Sequence, residues 1–238
     1  MRIKFNKEIE FFIKKYFLPE AFLLKKRLER SIKRSDEEEI NLVKKFIKPG
    51  TDSIDVGVYR GVYSYEMSKY SKKVHSFEPN PIIFKYINKN LSNQNNTINL
   101  KVPIRNSNFK KENFEEYYEM GLATIHQKNN FKDYENFKIE TKKIDDFSFD
   151  NKISFIKIDV EGHELEVIDG AKKTIKKNKP ILLVEIVKEH TKKNVHESIN
   201  YINSLNYDSF FYYKKNIQNT TSYANLDLFN NFIFFPKE

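Results

Sequence analysis

Three short apolar segments that each end in a carboxylate constrain the fold of this chain more than any other feature. They are Ile54–Gly61, His75–Pro79 and Ile156–Glu164, and a stretch with helical character follows each one. Strands that alternate with helices are typical of a mostly parallel sheet with helices on both faces. In such a sheet, ligands bind at the carboxyl ends of the strands, where the strand order reverses. We therefore expect the three acids at one sheet edge, in a cofactor pocket.

Short apolar or alternating runs predict seven strands. They are Ser53–Val56, Val74–Phe77, Thr97–Val102, Ile153–Ile158, Ile181–Val187, Tyr207–Tyr213 and Asn231–Phe235. The segment before the last strand has too little helical character for a parallel crossover, which predicts an antiparallel final strand. The predicted fold is α/β: a Rossmann-like, seven-stranded, mostly parallel sheet with helices on both faces and an N-terminal helical extension.

Helices are predicted at Arg60–Tyr70, from Pro81 onward and at Glu161–Lys177, and a further helix is marked by Val195, Ile199, Ile202 and Leu205. Residues 103–150 lack a clear period and are predicted to be a lid or substrate loop, with a short edge strand at Lys138–Ile144.

Residues 1–48 have helical periodicity, so we divide the chain into a helical extension, 1–48, and a Rossmann-like domain, 49–238. The first 34 residues hold eleven Lys and Arg against four Glu, a net +7 of the chain's +9. Such a segment attracts phosphates or anionic membranes, although a solvated helical face and a dimerisation arm remain alternatives.

The bulk composition excludes several classes of site. Cysteine is absent, which excludes disulfides, zinc–thiolate sites and a cysteine nucleophile. No apolar run approaches the roughly 20 residues of a membrane span, and no secretory signal is visible at the start. We expect a cytoplasmic protein whose basic residues 1–34 contact the inner membrane face.

The first strand leads into an Asp55-x-Gly57-x-x-x-Gly61 turn, and Glu78 follows Asp55 by 78 − 55 = 23 residues. Glycine allows a ligand to lie against bare backbone, and an acid about 20 residues later is placed to hold ribose hydroxyls. The turn is neither the G-x-G-x-x-G fingerprint nor a Walker loop. The two segments together favour an adenosine-type cofactor.

From about Asp52 to Pro236, the sequence resembles the FkbM-type methyltransferase family. The resemblance is carried by Ile54–Gly57 with Gly61, Phe77–Pro79, Ile144–Phe147, and above all the Asp-Val-Glu-Gly-His-Glu run at 159–164 with Gly170-Ala171 after it. It implies dependence on S-adenosylmethionine, with Glu78 at the ribose, Asn106 and Ser107 near the adenine, and Asp159 beside the sulfonium. The full set of cofactor-binding candidates is Asp55, Gly57, Val58, Tyr59, Gly61, Glu78, Pro79, Asn106, Ser107 and Asp159.

The chain departs from the family at one point of this turn. The family usually has Asp-x-Gly-Ala-Asn-x-Gly, and here Val58-Tyr59 replaces Ala-Asn. This replacement leaves open a non-catalytic nucleoside-binding module with a degraded pocket.

An oxygen acceptor is favoured, since pyrimidine C5 chemistry needs a cysteine and amine methylation typically uses an Asn/Asp-Pro-Pro-Tyr turn, which is missing here. The candidate bases at the expected edge are Asp159, Glu161, His163 and Glu185. Acids at 159, 185 and 189 give only a weak magnesium pattern, so no metal is expected. The resemblance implies methylation of a hydroxyl on a sugar, glycan or related metabolite. An RNA ribose methyltransferase is the alternative, without a strong nucleic-acid signal, and a homo-oligomer is an open possibility.

Overall fold

The computed structural model describes residues 20–34, 37–91, 97–100, 113–117, 123–124, 134–138, 141–190 and 194–238. Its helices are α1 Glu20–Arg34, α2 Val43–Phe46, α3 Val62–Met67, α4 Pro81–Leu91, α5 Glu164–Gly170, α6 Lys172–Asn178 and α7 Val195–Asn203. Its strands are β1 Asp52–Val56, β2 Val74–Phe77, β3 Thr97–Leu100, β4 Asn113–Tyr117, β5 Ala123–Thr124, β6 Tyr134–Lys138, β7 Ile153–Ile158, β8 Ile181–Glu185, β9 Tyr207–Tyr213, β10 Asn216–Asn219 and β11 Asn231–Pro236.

The main sheet has the strand order β10-β9-β11-β8-β7-β1-β2-β3. The strands β3, β2, β1, β7 and β8 pair in parallel, and β11 lies antiparallel between β8 and β9. The Rossmann-like fold with its seven predicted strands and antiparallel last strand is therefore confirmed. The chain runs outward from β1 to β3 and later returns to β7 on the other side of β1. The strand order thus reverses between β1 and β7, where ligands of such sheets bind.

One strand of the main sheet was not predicted. β10 pairs antiparallel with β9, as an added edge strand. The two residues at the turn, Lys214 and Lys215, have φ values of 49° and 63°. Such tight hairpin turns normally contain Asn or Gly, so the sequence carries no hairpin signal here.

A small antiparallel sheet of order β5-β4-β6 lies within the region predicted as a lid or substrate loop. Only part of the predicted edge strand Lys138–Ile144 can be compared: Lys138 ends β6, residues 139–140 lie outside the described residues, Lys142 forms a single β-bridge, and a 3-10 turn begins at Ile144. The carboxylate of Asp145 in this turn accepts hydrogen bonds from the backbone N–H groups of Lys173 and Thr174, at 2.9 and 2.8 Å. These bonds stabilise the first turn of α6.

The predicted helix Glu161–Lys177 is divided into α5 and α6. The division lies at Ala171, whose φ of −115° and ψ of 7° leave the helical region. The predicted helix Arg60–Tyr70 is shorter than expected, because Gly61 takes a φ of 79° and α3 begins only at Val62.

Each face of the main sheet is covered by helices. One face packs Ile156, Val184 and Phe232 against α5 and α7. The other packs Phe155 and Leu183 against α2 and α3. Because both faces are buried, the central strands are nearly continuous apolar runs, which explains why the sequence located them.

Helix α1 packs on the edge of the molecule that carries the β1–α3 turn. Its buried side chains Leu24 and Leu28 belong to one cluster with Val58, Tyr65 and Leu91. Among the residues described, no helix has the length and apolarity needed to cross a membrane.

Candidate functional site

The carboxyl ends of β1, β2, β7 and β8 place four acids at one edge of the sheet. These acids are Asp55, Glu78, Asp159 and Glu185. Asp55 lies opposite Lys157 in the register of β1 and β7, so the two side chains leave the sheet on the same face. Asp159 and Glu185 each lie at the end of one of two paired parallel strands, β7 and β8. The sheet edge at which the strand order reverses is therefore acidic.

Asp55 is fully buried and carries an unsatisfied oxygen. Its Oδ2 accepts a hydrogen bond from the Ser64 hydroxyl at 2.6 Å, and Ser64 in turn lies 2.8 Å from the hydroxyl of Ser76. Its Oδ1 has no hydrogen-bond partner among the described residues. Burial raises the pKa of Asp55 to about 6, against the attraction of Lys157. A buried carboxylate oxygen without a donor fits the ammonium of a ligand.

The turn after β1 is built around Gly57, which has a φ of +84°. A Cβ at this position would lie 1.6 Å from the backbone carbonyl oxygen of Asp159. The N–H of Asp159 also donates to the carbonyl of Val56 at 2.9 Å. The two loops of the edge are therefore in direct backbone contact, which only glycine permits.

Glu78 is held by backbone donors on both carboxylate oxygens. Oε2 accepts from the N–H of Tyr59 at 2.8 Å, and Oε1 accepts from the N–H of Asn80 at 2.9 Å. Each oxygen of a carboxylate has a further lone pair, so Glu78 can also accept from the two hydroxyls of a ribose. Glu78 is only 6% exposed, and its two backbone hydrogen bonds fix the orientation of the carboxylate.

Tyr59 occupies a strained position in the same turn. Its φ is 48°, in the left-handed region that bulky residues rarely adopt. The Arg60 guanidinium lies over its ring, 4.9 Å from the centroid. Backbone strain of this kind is often found at ligand sites. In this conformation, the backbone N–H of Tyr59 donates its hydrogen bond to Glu78.

The other predicted residues of this half of the edge have mainly structural contacts. Val58 is buried in the cluster beneath α1, and Pro79 is half-buried beside Glu78. Gly61 has a φ of +79°, and a Cβ there would lie 2.7 Å from a methyl carbon of Leu91. Asn106 and Ser107 lie outside the described residues.

Lys157 is a buried cation at this edge that was not among the predicted site residues. It is 3% exposed, its Nζ lies 2.6 Å from Asp159 Oδ2, and it also lies 4.6 Å from the centroid of the Tyr63 ring. Although burial opposes its charge, Asp159 and Asp55 raise the pKa of Lys157 well above its usual range. The signal was available: Lys157 is the single charged residue within an otherwise apolar central strand.

Asp159 and Glu185 form a hydrogen-bonded carboxyl pair in which one pKa is lowered and the other is raised. Despite its burial, Asp159 has a lowered pKa because of the Lys157 ammonium and the bond to Glu185. Burial and the bond to Asp159 raise the pKa of Glu185 to about 9. At neutral pH, the pair therefore holds one proton, on Glu185, and one charge, on Asp159.

Glu161 lies in the turn that follows Asp159 and contacts a histidine that was not predicted. Its Oε2 lies 2.6 Å from Nδ1 of His190, which follows β8. Glu161 has a φ of 52° and Gly162 a φ of 96°. A Cβ on Gly162 would lie 2.2 Å from the carbonyl oxygen of His190. No sequence spacing connects His190 to this turn, so only the fold could reveal the contact.

His163 and Glu164, which follow this turn at the start of α5, contact it and help to stabilise it. His163 is 3% exposed at the N-terminus of α5, with its Nδ1 3.7 Å from Glu166. One oxygen of Glu164 accepts from the N–H groups of Gly162 and Val160, at 3.0 and 3.3 Å. Burial raises the pKa of Glu164 to about 7. Of the four predicted bases, His163 is thus enclosed in protein, whereas Asp159, Glu161 and Glu185 are only half-buried.

Oxygens of Asp159, Glu161 and Glu185 lie within 4.8 Å of one another, a spacing that a divalent cation could span. Lys157 already compensates the charge of Asp159, and His190 already contacts Glu161. We therefore assign no metal ligand here. Glu189, which completed the weak magnesium pattern, is exposed and does not belong to this group.

A separate surface cavity of about 310 Å³ is lined by Phe147, Phe149, Asn151, Lys173 and Lys177, among others. Asn151 hydrogen-bonds Asp52, the first residue of β1, so this cavity lies at the amino ends of the strands. It is remote from the acidic edge and has no role in the site.

Comparison with known proteins places this arrangement among methyltransferases. The family model "Methyltransferase FkbM domain" matches residues 55–209, which is more than half of the chain. No curated protein matches the sequence.

Several solved structures are similar in fold. A precorrin-6y C5,15-methyltransferase from Geobacter metallireducens has a TM-score of 0.50 at 14% identity, over 86% of this chain and 90% of that one. The methyltransferase FkbM from Methylobacillus flagellatus has a TM-score of 0.48 at 15% identity, over 83% of this chain. The present chain spans only 50% of that protein's length. An O-methyltransferase from Bacillus cereus in complex with SAH (S-adenosylhomocysteine) has a TM-score of 0.48 at 9% identity, over 95% and 96% of the two chains.

Proposed function

We propose an acceptor class and residue roles for this chain, which belongs to the FkbM family of methyltransferases. In our proposal, it transfers the methyl group of S-adenosylmethionine to a hydroxyl of a sugar, glycan or related metabolite. The observation that carries the proposal is the pair of buried acids at adjacent strand ends, with Asp55 offering an unpartnered oxygen and Glu78 fixed by two backbone donors.

The residues present fit this cofactor. The free oxygen of Asp55 would accept from the ammonium of the methionine part, and Glu78 would accept from the ribose hydroxyls. When bound, the cofactor supplies a methyl group that is already activated by the positive sulfonium. The edge carries several carboxylates, and Lys157 is the one buried Lys or Arg among the described residues, so the edge suits a ligand with two positive charges.

The acceptor side of the site is expected around Asp159, at the end of β7. Asp159 is ionised and partly exposed, so it can accept a hydrogen bond from a hydroxyl and orient its oxygen toward the methyl group. Alignment of the two reacting groups contributes several kcal/mol in enzymes of this kind. Since its pKa is lowered, Asp159 is a weak base, and Glu185 already carries a proton. In our proposal, the pair positions the acceptor.

The oxygen acceptor is supported by exclusion as well. The chain has no cysteine for attack on a pyrimidine ring, and Asp159–Gly162 does not contain the turn typical of amine methylation. The acidic edge also disfavours a polyanionic acceptor, because a phosphate backbone would be repelled by Asp159 and Glu161. The site therefore favours a glycan over RNA.

A peripheral contact with an anionic membrane is a second part of the proposal. The solvent side of α1 exposes six cations, with Glu29 as its half-buried acid: Lys25, Lys26, Arg27, Arg30, Lys33 and Arg34. Each basic residue near an anionic surface contributes about 1 kcal/mol. Because α1 lies next to the β1–α3 turn, such a contact would place the site near lipid-linked acceptors. Flotation with vesicles of 30% phosphatidylglycerol should recover the protein, and zwitterionic vesicles should not.

Calorimetric titration with S-adenosylhomocysteine tests cofactor binding. We expect binding by the wild type and a loss of about 1–3 kcal/mol in Glu78→Ala, from the lost charged hydrogen bonds. Asp150→Asn is the matched control, since Asp150 pairs with Lys73 at the opposite end of the strands. No heat with the wild type would favour the degraded binding module, and an unchanged dissociation constant in Glu78→Ala would refute its ribose role.

The acceptor class needs a separate assay. Tritiated methyl transfer from S-adenosylmethionine to a panel of nitrophenyl glycosides should exceed transfer to total RNA. The reverse result would refute the glycan proposal and favour ribose methylation.

A further inference from the structure

Two unusual backbone conformations in the turn after β7 are explained by one histidine. Glu161 adopts a φ of 52°, which is costly for a residue with a long side chain. Gly162, with a φ of 96°, has no room for a side chain, because the carbonyl oxygen of His190 would lie 2.2 Å from its Cβ. The turn is therefore shaped to lie against His190 and to bring the Glu161 carboxylate to its ring.

The contact fixes the chemistry of the imidazole. Nδ1 of His190 lies 2.6 Å from Oε2 of Glu161 without the alignment of a hydrogen bond, and the negative charge of the carboxylate favours the proton on this ring nitrogen. In the neutral ring, the lone pair is then on Nε2, the form required of a proton acceptor. The side chain of His190 is 23% exposed, so solutes can reach it, in contrast to the enclosed His163.

His190 lies at the same sheet edge as the proposed cofactor turn. It lies close enough to Asp159 to act on its charge, and Asp159 is in backbone contact with Gly57 of the cofactor turn. The charged groups that face it from neighbouring elements are Glu161, Asp159 and Glu185, with Lys157 behind them. On its own segment, Lys188 pairs with Asp227 at 2.7 Å and Glu189 is exposed.

We propose that His190 is the general base of the reaction and that Glu161 is its positioning residue, a proposal that rests on the proposed hydroxyl methylation. Nε2 of His190 removes the hydroxyl proton while the acceptor oxygen bonds to the methyl carbon. The carbon–sulfur bond breaks with its electron pair on sulfur, and the imidazolium then releases the proton to water. The atoms balance without a further reactant.

Each other candidate base at the edge has a structural disadvantage. Glu185 holds a proton at neutral pH, Asp159 is stabilised as a carboxylate by Lys157, and Glu161 is engaged by the ring. A histidine titrates near neutrality, so its neutral form is both abundant and basic at working pH.

The first test needs no acceptor and no variant. In ¹⁵N-resolved NMR of the imidazoles, His190 should be the tautomer with Nδ1 protonated. Its pKa should be lower by about one unit with S-adenosylmethionine bound than with S-adenosylhomocysteine bound, because only the former places a sulfonium charge nearby. Exposed His196 on α7 is the internal control, and its imidazole ¹⁵N chemical shifts at a fixed pH should be the same in both complexes. Equal pKa values for His190 would overturn the proposal.

The second test uses kinetics on an acceptor from the glycoside panel. His190→Gln should lower kcat by about 10²–10⁴-fold and abolish the acidic limb of the pH profile, as a lost general base does. Glu161→Gln should keep cofactor binding and shift that limb. An acidic limb that persists in a folded His190→Gln enzyme would overturn the role of His190. Failure to bind S-adenosylhomocysteine would instead refute the proposed function, so the two failures are distinguishable.

Discussion

The buried carboxyl of Glu164 should make this protein less stable as the pH rises, and Glu164→Gln should remove that dependence. Both backbone donors of the turn, from Gly162 and Val160, bond to a single oxygen, Oε1. A glutamine amide offers one carbonyl oxygen that can accept both bonds, so the substitution preserves the turn and removes only the ionisation.

The magnitude follows from the pKa of Glu164, which burial raises from 4.5 to about 7. Over this window the native state holds a proton that the unfolded chain has released, so the free energy of unfolding falls with rising pH. One pKa unit corresponds to about 1.4 kcal/mol, so the group removes up to about 3 kcal/mol between pH 4.5 and pH 7. The loss is complete above pH 7 and absent below pH 4.5.

Urea unfolding at pH 4.5, 6 and 8 measures the effect. The stability of Glu164→Gln should equal that of the wild type at the lowest pH and exceed it by up to about 3 kcal/mol at pH 8. Glu197→Gln, on the exposed face of α7, is the control and should follow the wild type at each pH. A constant difference between Glu164→Gln and wild type across the series would refute the reasoning.

Three further changes test the packing of the edge. Gly57→Ala should destabilise by about 3 kcal/mol or more in urea unfolding, because its Cβ would meet the Asp159 carbonyl at 1.6 Å; an unchanged midpoint would contradict this. Lys157→Met should cost about 3–5 kcal/mol by leaving the half-buried Asp159 and the fully buried Asp55 without their nearby cation, and a stabilised variant would show that this cation is dispensable. Tyr59→Asn should stabilise by about 1 kcal/mol, since Asn tolerates the left-handed conformation, and a loss would mean that the ring packing outweighs the strain.

The central strands of the main sheet were predictable because a strand buried on both faces needs an almost continuous run of apolar residues. β7 and β8 are apolar over almost their whole length, and their ends locate the site. β10 was missed because its turn is formed by Lys214 and Lys215, which have positive φ values that are unusual for lysine. The division of the helix at Ala171 was missed for a similar reason, since alanine is the best helix former.

The acids of the site were predictable and their partners were not. Asp55, Glu78 and Asp159 follow strands, so their placement depends on local order along the chain. The partners of these acids come from elsewhere: Ser64 from a helix face, and His190 from the loop after another strand. Such contacts depend on how loops of unrelated sequence meet at the edge, and no spacing encodes them.

The packing of α1 has a consequence for how the protein can be shortened. Leu24 and Leu28 are 5% and 2% exposed, and they cover Val58, the residue that follows Gly57. A fragment trimmed to the segment that carries the family signature would expose this apolar cluster to water and remove the packing behind the β1–α3 turn. Expression of a fragment without α1 should therefore give a protein that aggregates more readily than the full chain.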